Sequence, residues 1–277
     1  MFLFKNAYRR MVKCMLAILI TGCVATGCEK NDNVADEEKD INFIPERGHS
    51  YEYQIEDDGG IYTATRKISG QKDSAGIKVF TLHTELIGGG GMMTLDDKIF
   101  SIGGKTYTEI KIPDSWYMYV NLLEQIPGVK VIEASVTGYP AFTTMENVIK
   151  TGSKVGLKGP PDQVQYIKTT RDNKTEEVTQ RITQTPGEAE VETITVPGGT
   201  FTCNKYVYSI FRDVKTRVDG TNYLSTGIES VEVWMAAGVG MVKMKNEGTM
   251  ITVVQTPNGP KTLNTDLNST TTLQKIH

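Results

Sequence analysis

Residues 50–68 read SYEYQIEDDGGIYTATRKI. Tyr51, Tyr53 and Ile55 alternate with polar residues, the period of a strand buried on one face. Asp57-Asp58-Gly59-Gly60 supplies residues that tolerate a tight reversal, and residues 61–68 answer with a second β-branched and aromatic run. The stretch predicts an antiparallel hairpin. Outward from it the pattern repeats at 77–86, 93–102 and 105–112, with glycines at 88–91 and 103–104 between the runs. Residues 164–170 and 176–183 flank Asp172-Asn173, and 201–218 is one long run. Residues 229–235, 240–245 and 250–255 follow, and Asn258-Gly259 joins the last of these to 261–263. Roughly ten or more strands at such short spacing predict a mainly β domain built as one antiparallel meander.

Two short helices are expected to interrupt it. Pro113-Asp114-Ser115 can start one that places Trp116, Tyr119 or Val120, Leu123 and Ile126 on one face, and Pro127-Gly128 stops it. Thr143-Thr144-Met145-Glu146 has the form of a capping box, with Met145, Val148 and Ile149 on one face and Gly152 past the end. No repeat of 20 to 50 residues is present, so residues 41–277 are read as one domain. The polar residues 268–277 are expected to fray.

The N-terminal block reads as an address. Lys5, Arg9, Arg10 and Lys13 precede an apolar run at 14–20, CMLAILI, which is too short to cross a bilayer and ends in small residues. Residues 19–32, LITGCVATGCEKND, hold two Thr-Gly-Cys triplets. They resemble the lipobox of bacterial lipoproteins, in which the cysteine becomes diacylated and the signal is cut before it. Ile20-Thr21-Gly22-Cys23 fits the peptidase consensus better. Ala25-Thr26-Gly27-Cys28 is followed at once by charge, as in surface lipoproteins of the Bacteroidota type. Cys28 is preferred as the lipid anchor, with Cys23 the alternative. The resemblance divides the chain into a signal at 1–27, an acidic tether at 28–40 and the β domain. It implies a lipid-anchored protein of the outer membrane, on the cell surface or the periplasmic face.

Charge agrees with the division. The signal carries four bases and no acid, so its removal takes the formal charge from −3 to −7. Residues 29–40 hold six acids against two lysines, a composition expected to remain an extended tether. The remainder mixes both signs, so no basic footprint for nucleic acid is expected. Cys203 is the one cysteine of the domain, so no intradomain disulfide is expected and stability must come from apolar burial.

Catalytic chemistry finds little to work with. His49, His83 and His277 have no second His or Cys at ligand spacing, so no metal site is predicted. No nucleophile with a recognisable base appears, the glycine runs lack a phosphate loop's lysine, and no cofactor is implied. Asp57-Asp58 and Asp96-Asp97 are read as solvated hairpin tips, and Cys203 as a small buried hydrophobe in phase with Phe201 and Val207. Trp116, Tyr119 and Leu123 are the candidates for lining an apolar cavity. Asp73-Ser74-Ala75 resembles the acceptor of Bacteroidota O-glycosylation at Ser74.

Residues 194–205, ITVPGGTFTCNK, and 231–243, VEVWMAAGVGMVK, form a second resemblance. They are similar to envelope proteins carrying VPAGTF and GVG motifs, which are related to the LolA/LolB-type lipoprotein carriers. Gly198 stands here where Ala is common. The resemblance implies a half-barrel, a curved antiparallel sheet with the two short helices over its concave side, whose hollow can take a lipid or other apolar ligand. The expected function is therefore non-enzymatic: an envelope lipoprotein that binds such a ligand. The alternative is a structural or interaction module serving an envelope protein partner.

Overall fold

The structure is a computed structural model that describes residues 41–277, apart from 89–90, 151 and 257–258. The expected signal, both candidate anchor cysteines and the expected acidic tether lie outside the described residues. Among the described residues sixteen strands form one antiparallel sheet that does not close, accompanied by one α-helix.

The first half of the sheet is the predicted meander. Strands β1 (Ser50–Asp57), β2 (Gly60–Ser74), β3 (Ile77–Gly88), β4 (Gly91–Ile102) and β5 (Lys105–Ile110) pair in sequence order. The chain then makes α1 (Asp114–Glu124) and crosses to the other edge of the sheet as β6 (Val129–Thr137). It returns through the cis Tyr139–Pro140 bond to β7 (Ala141–Glu146), which pairs with β5, and β8 (Gly156–Lys158). Strand β9 (Asp162–Arg171) pairs with β6 and with β10 (Lys174–Thr185), and β11 (Ala189–Val196) follows.

Three long strands carry the second half: β12 (Gly199–Val218), β13 (Thr221–Ala236) and β14 (Gly240–Thr256). One flank of β12 is shared between β10 and β11, and one flank of β14 between β15 (Gly259–Asp266) and β16 (Ser269–Ile276). The long strands thus belong to two sheet regions. The upper region runs from β6 to β15, and the lower from β11 through β16 and β1 to β8.

The lower region curls on itself. Strands β12 and β7 are nine places apart in the strand order, yet Tyr206 on β12 donates its hydroxyl hydrogen to the Glu146 carbonyl on β7. Asn204 Nδ2 donates to the carbonyl of Asn147 at 3.0 Å. Inward-facing Tyr51, Leu82, Ile99, Met145, Val233 and Leu273 meet in one apolar cluster inside the curl. Tyr53 closes its polar end by donating to the Met241 carbonyl at 2.8 Å, so the phenol is buried without an orphaned hydroxyl.

Three expectations are corrected. Residues 143–149 form no helix: 141–146 are β7, because Ala141, Thr143 and Met145 are buried in period two and every residue pairs with β5. Phe142, Thr143 and Thr144, strand-favouring residues beside an open edge, outweigh a capping-box pattern. The C-terminal residues do not fray, for β16 lies between β14 and β1 and buries Thr271 and Leu273. His277 and Ser50 exchange two backbone hydrogen bonds, of 2.9 and 3.2 Å. Asp96-Asp97 is no hairpin tip but lies within β4, where the pleat sends the two carboxylates to opposite faces.

Helix α1 also differs from the expected lid. It packs against β6, an edge strand, rather than across the centre of the lower curl. Trp116 is buried, while Tyr119 and Leu123 are half-buried on the same side. The Trp116 and Tyr119 ring centroids are 6.4 Å apart.

Candidate functional site

The inner face of the upper region carries a feature no apolar core needs. On β12 the residues in phase with Tyr206, Tyr208 and Ile210 continue to Arg212, which is 1% exposed. On β13 those in phase with Val233 and Val231 continue to Glu229, 0% exposed. Arg212 Nε donates to Glu229 Oε1, closing an ion pair inside the sheet. Gly227 stands opposite Arg212 and Gly248 opposite Glu229. A Cβ on Gly248 would lie 2.8 Å from both Cα and Cγ of Glu229 and 2.4 Å from the Ile228 carbonyl oxygen. The glycine makes the space in which Glu229 lies flat.

The pair does not use up its hydrogen-bonding capacity. Arg212 Nη1, Glu229 Oε2 and Asn246 Oδ1 are buried with no protein partner. So are Nε2 of Gln163 and of Gln184. The register brings them together. Gln163, Ile182, Arg212 and Gly227 form one cross-strand row, Gln184, Ile210, Glu229 and Gly248 the next, and Val231 and Asn246 the one after. Tyr139, at the join of β6 and β7, accepts a 3.4 Å hydrogen bond from Gln165 Nε2. Burial raises its phenol above the ordinary range, against the Gln165 bond and the charge of Arg212. An array of donors and acceptors at low dielectric is suited to water or a small polar group, since each orphaned atom otherwise carries its full desolvation cost.

A second inward charge lies in the lower region. Arg66 on β2 packs its guanidinium 5.3 Å from the centre of the Tyr53 ring. Asp97 on β4 is pushed up to about 6 by burial, with Lys111 and Arg66 pulling the other way. Arg66 Nη1 also reaches Met241 Sδ at 3.7 Å. Burial raises the Tyr53 phenol well above its usual range.

The outer face holds a third group. The Trp234 indole stands between Lys205 and Lys243, each ammonium 5.2 Å from the ring centre, and its Nε1 donates to Glu192 Oε2 at 2.7 Å. Cys203 lies beneath with Ala236 and Val242, and burial first, then the Glu192 charge, push its thiol up to about 12. A thiol so placed is not a nucleophile at neutral pH.

The remaining sequence candidates are dispersed. Ser74 is exposed at the end of β2, beside a turn with Ala75 and Gly76 at positive φ. His83 faces outward between Asp96 (2.8 Å) and Glu85 (3.2 Å). His49 and His277 stand near the meeting of the termini of β1 and β16. Among the described residues no three His, Cys, Asp or Glu converge as a metal would require, and no helix is long and apolar enough to cross a membrane. The structure does not bring Trp116, Tyr119 and Leu123 to the Arg212–Glu229 pair. That pair was missed by reading for motifs, although both charges sit at strand positions whose phase is otherwise apolar.

Fold and interior together describe an open, curled antiparallel β domain with a filled apolar half and a polar half. No family model matches the chain, and no curated protein matches it in sequence. Two solved structures are similar in shape. One is a candidate lipoprotein of Parabacteroides distasonis, 14% identical, with a TM-score of 0.41 over 84% of this chain and 96% of that one. The other is a candidate exported protein of Bacteroides fragilis with a YmcC-like fold, 11% identical, with a TM-score of 0.38 over the same shares. At these scores and identities neither bears on what this chain does.

Proposed function

We propose that this chain is a non-enzymatic, lipid-anchored envelope protein whose domain is an interaction module. The anchor rests on the lipobox at Cys28 or Cys23. The module reading rests on one observation: the curl of the sheet is filled by the protein's own side chains, with Tyr51, Ile99, Val233, Met241 and Leu273 all essentially inaccessible. A carrier of an acyl chain needs an apolar hollow in that position. In this reading the anchor places the domain at the membrane, and its outer face meets an envelope protein. Intact mass of the N-terminal peptide from membranes tests the anchor. Acylation on Cys28 is expected, and an unmodified N-terminus overturns it. Crosslinking in native membranes tests the module, which falls if no protein is captured at stoichiometric yield.

The unpaired buried polar atoms around Arg212 and Glu229 favour a second reading, in which the domain holds a small polar ligand or the headgroup of an amphiphile. Native mass spectrometry decides between them. A bound mass lost in Glu229→Gln supports the ligand, and a bare polypeptide mass supports the module.

A further inference from the structure

One end of the domain gathers exposed apolar side chains where the chain arrives from its first forty residues. Phe43 N donates to Thr106 Oγ1 (3.2 Å), and Thr106 Oγ1 donates to Asn147 Oδ1 (2.7 Å). Asn147 Nδ2 donates to Ser101 Oγ (3.0 Å), and its backbone N–H to the Gly104 carbonyl (2.9 Å). Buried Asn147 thereby holds three segments in one place: residues 41–44, the β4–β5 turn, and the start of the β7–β8 connection. Each turns one aliphatic side chain outward, Ile41 at 45%, Ile102 at 44% and Val148 at 52% exposure. The third segment is fixed too, since Ser153 Oγ accepts from Lys150 N–H and donates to Glu146, each at 2.8 Å. Lys150 and Lys154 are exposed beside it, and Lys105 stands 3.3 Å from Glu146.

We propose that this end is the membrane-facing surface of the domain, seated on a bilayer with phosphate-bearing headgroups. The inference rests on the anchor reading above. Twelve residues, 29–40, separate Cys28 from Ile41, thirteen steps that span at most about 45 Å. A domain held that close has a local concentration at the bilayer in roughly the millimolar range. Three aliphatic side chains with neighbouring lysines form a surface too weak to bind from solution but sufficient once tethered, as amphipathic membrane contacts combine apolar insertion with charge. Exposure alone does not select this end. Ile61, Ile87 and Met92 are more exposed still at the other end of the strands, Met92 and Ile102 being ten residues apart on β4, about 33 Å. That far end has Asp57 and Asp58 at its β1–β2 turn, whereas the near end has lysines and receives the tether.

The test uses the full acylated chain bearing Val148→Cys, Ile102→Cys or Met92→Cys, labelled with an environment-sensitive fluorophore. Cys203 is buried and does not compete, and Cys28 is itself the acylated residue unless Cys23 is the anchor, in which case Cys28→Ser is added to every variant. The protein is reconstituted into phosphatidylethanolamine–phosphatidylglycerol vesicles with brominated acyl chains. Quenching at 148 and 102 is expected to exceed that at 92 several-fold, and Val148→Asp should reduce it at 102. An acylated, vesicle-bound protein with equal quenching at all three sites overturns the surface and leaves the anchor standing. A chain that carries no acyl group overturns the anchor, and this surface with it.

Discussion

Arg212 and Glu229 show how much a single strand phase can conceal. Both occupy inward positions on long strands, and burial gives the ion pair its energetic weight. Removing one partner strands the other charge inside the sheet, so Glu229→Leu or Arg212→Met should each lower stability by about 3–5 kcal/mol. The joint replacement Arg212→Met with Glu229→Leu should recover most of that loss. Urea denaturation of the two single variants and the double variant measures the coupling. Asp97 makes the opposite contribution. Its folded-state pKa is raised from 3.8 to about 6, so its protonated form is compatible with folding and stability is lost as pH rises from about 4 through 6. Asp97→Asn should therefore gain about 2 kcal/mol at pH 7.5, a figure reduced for its part exposure, and nothing near pH 3.5. Denaturation midpoints at the two pH values check the sign. Cys203, its thiol pushed up to about 12, should resist alkylation in the native state and react only on unfolding.

Strands, more than helices, decide how this chain is read. The 50–68 hairpin, the 77–112 meander and the long run at 201–218 were all legible, because each alternates apolar with polar residues and ends in turn-forming ones. Strand β7 was not, because Thr-Thr-Met-Glu suits a helix start and only the open edge of β5 makes it a strand. Strand β16 was not either. Its threonines look solvated in isolation, yet Leu273 is 0% exposed and the strand fills the gap between β14 and β1. Leu273→Ala should cost about 2–5 kcal/mol, measured by thermal or urea unfolding. A loss below 0.5 kcal/mol would show that the C-terminal strand does not hold the halves together.

At the scale of the whole molecule, β16 joins the N-terminal meander to the long C-terminal strands, and Tyr206 on β12 reaches the Glu146 carbonyl of β7 across the curl. The two halves share one apolar cluster, so they should unfold as one unit. Trp116 on α1 and Trp234 on β13 report on different regions. Unfolding curves followed by Trp116 fluorescence in Trp234→Phe, by Trp234 fluorescence in Trp116→Phe and by circular dichroism should have matching widths within each variant. Two separated transitions would mean two domains. The candidate site was far less legible than the fold. Arg212, Glu229, Asn246 and the two glutamines lie on different strands, and no spacing along the chain links them. The aromatic helix was visible as a motif, but its place on β6 was not.

The sequence by itself determined the class of the domain, because strand period and turn residues are local properties. The address we propose is likewise read from a linear pattern, the two Thr-Gly-Cys triplets and the charged run after them. Tertiary structure alone decided which strands became central, how the curl was filled and where charge was buried. Those depend on which residues meet across the sheet, and a meeting between β7 and β12 is written in neither strand.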